Sequence, residues 1–318
     1  MPESAPKLLL LDTASLYFRA FYGVPDSVRA PDGRPANAIR GLLDFIAQLT
    51  VQHDADQVVA CWDDDWRPAF RVALIPSYKA HRVVEVAVDG EVDAEVDVEE
   101  VPDTLAPQVD AIAEVLDAYG IARVGWPGHE ADDVIGTLAV RHDGPVDIVT
   151  GDRDLFQLVH DERPIRVLYT SKGVRAADVI DEAAITAKYG IPGRSYAVFA
   201  ALRGDPSDGL PGVRGVGEKT AAAIVNLYPT YDALLAAIDA EDPDLPAAKK
   251  LIADRAYLDL APRVVDVVKD LPIPQIDAAI PAAPRDPARV EALSAEWGLT
   301  SPLARVADAF AARTADRG

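Results

Sequence analysis

Three short apolar runs in this chain each end on an aspartate, and that arrangement restricts the fold more than any other feature. They are Lys7 to Asp12 (Lys-Leu-Leu-Leu-Leu-Asp), Gln57 to Asp63 (Gln-Val-Val-Ala-Cys-Trp-Asp) and Val146 to Asp152 (Val-Asp-Ile-Val-Thr-Gly-Asp). Apolar runs of this length read as strands, as do residues 121–125 and Ile165 to Tyr169. Helical stretches lie between them. In residues 104–119, Leu105, Val109, Ile112, Leu116 and Tyr119 recur at spacings of three and four behind an expected Asp103 cap. Strands alternating with helices predict a mostly parallel central α/β sheet, and ligands of such sheets collect at the carboxyl ends of the strands. Asp12, Asp63 and Asp152 are therefore expected to meet although they are far apart in sequence. After about residue 175 the strand pattern stops, and helical segments are expected over 178–189, 194–202 and 220–228, with loops at 241–247 and 272–288. The expected organisation is an α/β core over 1–175 and a helical region over 176–318.

Further carboxylates stand in short clusters: Glu130-Ala-Asp132-Asp133, Asp152-Arg-Asp154 and Asp205-Pro-Ser-Asp208. Any one cluster read alone is a helix cap or a solvated turn. Together with Asp12 and Asp63 they make nine carboxylates, and crowding them into one cleft costs several kcal/mol unless cations neutralise them. Oxygen-only donors select Mg²⁺, Mn²⁺ or Ca²⁺, and a pair of such ions suits phosphodiester displacement. The stretch Gly212-Val-Arg-Gly215-Val216-Gly217-Glu-Lys219-Thr220 reads as a hairpin feeding a helix N-terminus, where free N–H groups favour an anion. It lacks the spacing of a P-loop. Tyr78-Lys79-Ala-His81-Arg82 is basic, with Lys79 and Arg82 spaced to share a helix face and Tyr78 suited to stacking on a base. Arg71, after Phe70, and Arg19, after Phe18, are weaker candidates of the same kind.

A net charge of −21 disfavours phosphate binding if it is averaged over the surface. The charge is not evenly spread. Residues 83–100 hold eight acids and no base, as a solvated loop would, and without them and the clustered carboxylates the balance is nearly even. The first residues lack the form of a signal peptide, and no apolar stretch is long enough to span a bilayer. The single Cys61 excludes an internal disulfide framework. These features predict a cytoplasmic protein with no membrane partner.

In order, the motifs Phe-Arg, Tyr78-Lys-Ala-His-Arg82, Glu130-Ala-Asp-Asp133, Thr150-Gly-Asp-Arg-Asp154 and Gly204-Asp-Pro-Ser-Asp208, followed by the glycine hairpin, resemble those of the bacterial 5′-3′ exonuclease and flap endonuclease family. The resemblance is to the 5′-nuclease domain of bacterial DNA polymerase I, here expected as a stand-alone enzyme, and it covers nearly the whole chain. It implies a PIN-like core with an arch near 67–102, followed by a helix–three-turn–helix region containing the 209–220 hairpin. It further implies two or more Mg²⁺ or Mn²⁺ ions. Asp63, Glu130, Asp132 and Asp133 would serve one metal region beside Asp12, and Asp152, Asp154, Asp205 and Asp208 the second. Lys79 and Arg82 would contact the scissile phosphate, and Gly212 to Thr220 would grip duplex DNA, often through bound K⁺. The chain departs from the family in its acidic insert at 83–100, and in Asp12-Thr-Ala-Ser where Asp-Gly-Ser-Ser is commoner.

The expected activity is therefore structure-specific 5′ nuclease cleavage at DNA flaps, 5′ ends and RNA primer–DNA junctions, in replication and repair. Two rival expectations are a junction-binding protein without turnover and a single-strand ribonuclease on the same sheet.

Overall fold

The computed structural model describes residues 5–83 and 101–315. Apart from Val83, the acidic run at 83–100 lies outside the described residues. Six strands form one sheet: β1 (Leu8–Asp12), β2 (Gln57–Cys61), β3 (Ala122–Val124), β4 (Val146–Thr150), β5 (Ile165–Tyr169) and β6 (Asp178–Ile180). Their order is β3-β2-β1-β4-β5-β6. The first five are parallel, with Leu10 opposite Val59 on one side and Ile148 on the other. Every residue of β1 and β4 is buried, as expected for a sheet covered on both faces. The chain runs outward from β1 to β3 and then returns to place β4 on the other side of β1. This reversal opens a crevice beyond the carboxyl ends of β1 and β4.

The strand pattern does not stop at 175. Residues 178–180 pair antiparallel with β5, and the following helix begins only at Glu182, where the Asp181 side chain accepts from Ala184 N–H. Three residues are too few to reveal a period of two, which is why this segment reads as helix in the sequence.

The helices are α1 (Thr13–Gly23), α2 (Asn37–Gln52), α3 (Ala69–Leu74), α4 (Ala106–Tyr119), α5 (Ala131–Arg141), α6 (Glu182–Tyr189) and α7 (Tyr196–Arg203). They continue as α8 (Glu218–Leu227), α9 (Tyr231–Asp239), α10 (Ala248–Ala253), α11 (Arg255–Leu260), α12 (Pro262–Val265), α13 (Pro287–Trp297) and α14 (Thr300–Ala315). Asp103 does not cap α4, whose N-cap is Leu105 without a side-chain bond. The buried Gln108 of α4 has a different task. Its Oε1 accepts from the Ala38 amide at 2.9 Å, satisfying the first turn of α2, which has no side-chain cap of its own.

One apolar core lies between the sheet and α1, α2, α4, α13 and α14, and the other between the sheet and α5 to α12. The last two helices thus return to the outer face of the first half of the chain. Phe310 of α14 is buried edge-on against Tyr119 of α4, centroids 5.6 Å apart. Phe310→Ala should lower the free energy of unfolding by about 3–5 kcal/mol, read as a shift in the denaturant midpoint.

No single helix among the described residues is long and apolar enough to cross a membrane. One bent pair, α8 and α9, passes that test on length and composition alone.

Candidate active site

The carboxyl ends of β1 and β4 are tied together by short polar bonds. Asp12, the last residue of β1, accepts from Thr150 Oγ1 at 2.7 Å and from Ser15 N–H at 3.1 Å, so it also caps α1. Thr150 Oγ1 in turn accepts from Asp152 N–H at 2.8 Å, and Gly151 N–H donates to Ser15 Oγ at 2.9 Å. Asp152 Oδ1 then accepts from Asp154 N–H at 2.8 Å. Asp63, two residues beyond β2, accepts from Ala131 N–H at 2.7 Å, which fixes the start of α5 against the sheet. Glu130 and Asp133 form the capping box of that helix, and Asp132 stands between them.

Burial without enough compensation raises five of the nine carboxylates. Burial, then Asp63, pushes Asp12 up to about 7. Asp132 is held well above the usual carboxylate range by burial and then by Asp152 and Asp12. Asp154 is held well above it by burial and then by Asp152, Asp208 and Asp205. Burial raises Asp63 as well, against the opposing pull of the Ala131 amide and Lys79. Asp208 is pushed up to about 6 by burial despite Lys79.

The protein's own cations engage other members of the set. Arg71 is 2% exposed, with Nη1 2.6 Å from Glu130 Oε2, Nη2 2.7 Å from Asp133 Oδ1 and Nε on the Val264 carbonyl. Tyr78 is also buried and donates to Glu130 Oε2 at 2.7 Å. The structure corrects the expectation for both residues. Neither has a face free to meet a nucleic acid, because both are spent on the α5 capping box. Lys79 Nζ pairs with Glu130 Oε1, and Lys79 itself has a left-handed backbone, φ 49°. The stretch 80–82 is a single 3₁₀ turn, so no helix face joins Lys79 to Arg82. Arg82 Nη2 lies 3.0 Å from Asp208 Oδ1 and 2.8 Å from the Ser207 carbonyl. Asp205 caps its own turn through Ser207 N–H at 2.9 Å and faces Arg203 at 3.5 Å and Arg153 at 3.7 Å.

A cleft of about 1280 Å³ opens above these groups. It is lined by Asp12, Asp63, Glu130, Asp132, Asp152 and Asp205, with Arg19, Lys79 and Arg82 on its walls. Asp133, Asp154 and Asp208 lie behind this lining and buried, and Asp154 Oδ1 has no hydrogen-bond partner among the described residues. The carboxylates share the cleft without closing on one point: among the described residues no three of them already form a coordination shell. Sequence reasoning did not single out Arg153, Lys172 and Arg175, which also line the cleft. Arg153 sits between two motif aspartates, a signal that was available. Lys172 and Arg175 lie in a turn after β5 that carries no motif.

The hairpin residues Gly212, Gly215, Val216, Gly217, Lys219 and Thr220 lie outside the cleft lining. Gly217 is the N-cap of α8, and Lys219 is exposed. Val216 is buried, 4% exposed, and its N–H already donates to the Val213 carbonyl. Gly212 has φ +65°, and a Cβ there would stand 2.5 Å from Gly204 N. The same part of the chain is bolted to the basic segment: Ser77 Oγ donates to Gly209 O at 2.7 Å, and Lys79 N–H donates to Asp208 O at 3.0 Å.

Two outcomes follow from these electrostatics. Arg71→Ala leaves Glu130 and Asp133 buried beside one fewer cation and should cost about 3–5 kcal/mol of stability, measured by denaturant unfolding. For Asp132, the folded value lies above the unfolded value near 3.9. Its contribution is therefore fully present below about pH 4 and lost as pH rises through the raised value. In metal-free buffer at pH 8, Asp132→Asn should melt roughly 2–4 °C above the parent, and the two should converge near pH 4 in scanning calorimetry.

Comparison with known proteins matches residues 7–190 to the N-terminal resolvase-like domain of 5′-3′ exonucleases, and residues 191–287 to their C-terminal SAM fold. A 5′-3′ exonuclease of Streptomyces coelicolor is 57% identical over 300 residues, covering 94% of this chain and 98% of its own length. One from Mycobacterium tuberculosis is 49% identical over 315 residues, covering 95% and 97%. Among solved structures, the flap endonuclease of bacteriophage T5, in a pseudo-enzyme-product complex with DNA and metal ions, superposes with a TM-score of 0.60. It is 17% identical and covers 97% of this chain and 99% of that one, a likeness of fold.

Proposed function

The chain belongs to the 5′-3′ exonuclease family and is a nuclease, and from that premise we propose that it cuts DNA phosphodiesters at junctions between a 5′ single strand and a duplex. RNA primer–DNA junctions fall within the same reading, since a cleft walled by Lys79 and Arg82 would engage phosphate, which RNA and DNA share. The observation that carries the proposal is the convergence of Asp12, Asp63, Asp132 and Asp152 at the sheet's switch point, facing Lys79 and Arg82 across one cleft.

The donor set fits divalent metal. Its cleft-facing members are all carboxylates, several are raised by burial and then by neighbouring acids, and Asp154 keeps a buried oxygen without a partner among the described residues. Asp12, Asp63 and Asp132, with Glu130 and Asp133 held beside them by Arg71, would serve one part of the metal region, and Asp152, Asp154, Asp205 and Asp208 the other. Bound Mg²⁺ or Mn²⁺ would supply Lewis-acid stabilisation of the phosphoryl oxygens and a more acidic water. The chain's own residues do the remaining work. Lys79, paired with Glu130, and Arg82, paired with Asp208, present positive charge to the phosphate from one wall. Arg71 holds Glu130 and Asp133 and so keeps the start of α5 in place. Thr150 and Ser15 orient Asp12 and the turn that carries Asp152.

The exposed hairpin, with the α8 N-terminus and Lys219, would take the phosphates of the duplex beyond the junction. Its carbonyl groups are the oxygen donors K⁺ takes, except that Gly215 O already accepts from Lys250 Nζ at 2.6 Å. Because the 205–209 turn is bonded to the 77–82 segment, a duplex held there has a defined distance to the cleft.

The test is cleavage of a 5′-labelled flap duplex and a matched unstructured strand, with Mg²⁺, with Mn²⁺ and with chelator, at fixed low salt. Metal-dependent cutting at the junction is expected. Lys79→Ala should lower kcat by about 10²-fold or more with a small change in KM, and Asp152→Asn should lower it further. Flap binding without cutting in either metal, or undiminished cutting by Asp152→Asn, would overturn the assignment.

A further inference from the structure

Resting on the nuclease reading and its metal region, we propose that the segment 264–271 of the helical half sets the separation between the two groups of carboxylates. Gln157 is the positioning residue through which this segment holds Asp152 and Asp154. It acts through the backbone of the turn after β4 and touches neither metal nor substrate.

Gln157 is buried, 8% exposed, in the 3₁₀ turn Asp154–Leu158. Its Nε2 donates to Asp154 O at 2.9 Å and to Val265 O at 3.1 Å, and its Oε1 accepts from Val267 N–H at 3.1 Å. Both amide protons and the amide oxygen are thereby used. One side chain joins the turn that carries two of the acids to a segment 108 residues further on. From there the bonds run on without a break: Asp154 N–H donates to Asp152 Oδ1, Asp152 N–H to Thr150 Oγ1, and Thr150 Oγ1 to Asp12.

The same segment also holds the other group. Val268 N–H donates to Asp133 Oδ1 at 2.8 Å, and Val264 O accepts from Arg71 Nε at 3.1 Å. Thr137, one turn along α5 and fully buried, donates to Val268 O at 3.3 Å and accepts from Leu271 N–H at 3.3 Å. A Cβ on Gly136 would stand 2.8 Å from Val268 O, so glycine there lets the segment lie against α5. The amides of Val267 and Val268 therefore go to different groups of acids. Both groups are referred to neighbouring residues of one chain, whose Cα atoms stand about 3.8 Å apart.

That reference has a task. Two ions act together on a phosphodiester at a separation of about 3.5–4 Å, whereas crowded carboxylates repel and would drift apart. Asp154 is tied at its main-chain N–H and carbonyl, while its buried Oδ1 has no hydrogen-bond partner among the described residues. Its place is thus fixed through the backbone, and that carboxylate oxygen is left for a cation.

The test measures Mn²⁺ binding to the full chain from the electron paramagnetic resonance signal of free Mn²⁺, alongside flap cleavage across a Mn²⁺ titration. The parent should bind two or more ions. Gln157→Met, of similar volume but without the amide, should weaken one ion by about 10- to 100-fold, the effect of losing a group that orients a metal ligand. The other ion should keep its parental affinity, and the weakened ion should be the one that Asp154→Asn removes. Cleavage by Gln157→Met should recover at high Mn²⁺. Thr137→Val loosens the segment without altering Gln157 and should shift the same ion in the same direction by less. Phe310→Ala, in the core on the opposite face of the sheet, lowers stability and should leave every Mn²⁺ affinity unchanged. The proposal is overturned if folded Gln157→Met, or Thr137→Val should the first not fold, keeps all the parental affinities. It is equally overturned if Phe310→Ala weakens the same ion as much. A parent that binds no Mn²⁺ and cuts no flap would instead sink the nuclease reading, and this inference with it.

Discussion

Mutual repulsion among carboxylates buried at one end of the sheet is the constraint to which the surrounding structure answers. Asp12, Asp63, Asp132 and Asp154 are all raised, chiefly by burial and then by neighbouring acids or opposed by nearby donors. A fold built for stability alone would not keep such a set, because replacing crowded acids by neutral side chains removes the repulsion. The set persists in a stable chain because two apolar cores hold the strand ends from either side of the sheet. Thr150, Ser15 and the Ala131 amide supply donors where the carboxylates need them.

The cations divide into two groups with different physical tasks. Arg71 is inside and satisfies the α5 capping box from behind, so its charge sets geometry. Lys79 and Arg82 reach the cleft while paired with Glu130 and Asp208, and their pairing makes them part of the same network as the acids. The left-handed turn at Lys79 and the contact of Ser77 with Gly209 connect this network to the helical half. At Gly209 a Cβ would stand 2.0 Å from Ser77 O, so the two segments approach as closely as backbone allows. The turn that leads into the hairpin is thereby kept in register with the cleft.

Much of this was legible in the sequence, for local reasons. Apolar runs ending on aspartate predicted the strands and the end of the sheet at which the acids meet. The glycine spacing at 212–217 predicted a turn into a helix N-terminus, because positive φ at Gly212 and Gly215 demands glycine. Where local signals were read alone they misled. Asp103 has the chemistry of a cap, yet α4 starts without it and Gln108 serves α2 instead. Residues 178–180 were too short to announce a strand until β5 lay beside them.

The sequence by itself determined which residues bear charge, which segments are apolar, and in what order the chain delivers its acids to one end of a sheet. Those are properties of side chains and of short-range periodicity. Only the tertiary structure decided which charges meet and which are spent on the protein. Arg71 and Arg19 both follow a phenylalanine, yet one is enclosed by Glu130 and Asp133 while the other faces the cleft with an Nε that has no hydrogen-bond partner among the described residues. That difference comes from helix packing across long sequence separations, which sets the burial and pairing of a charge and has no counterpart in the local sequence.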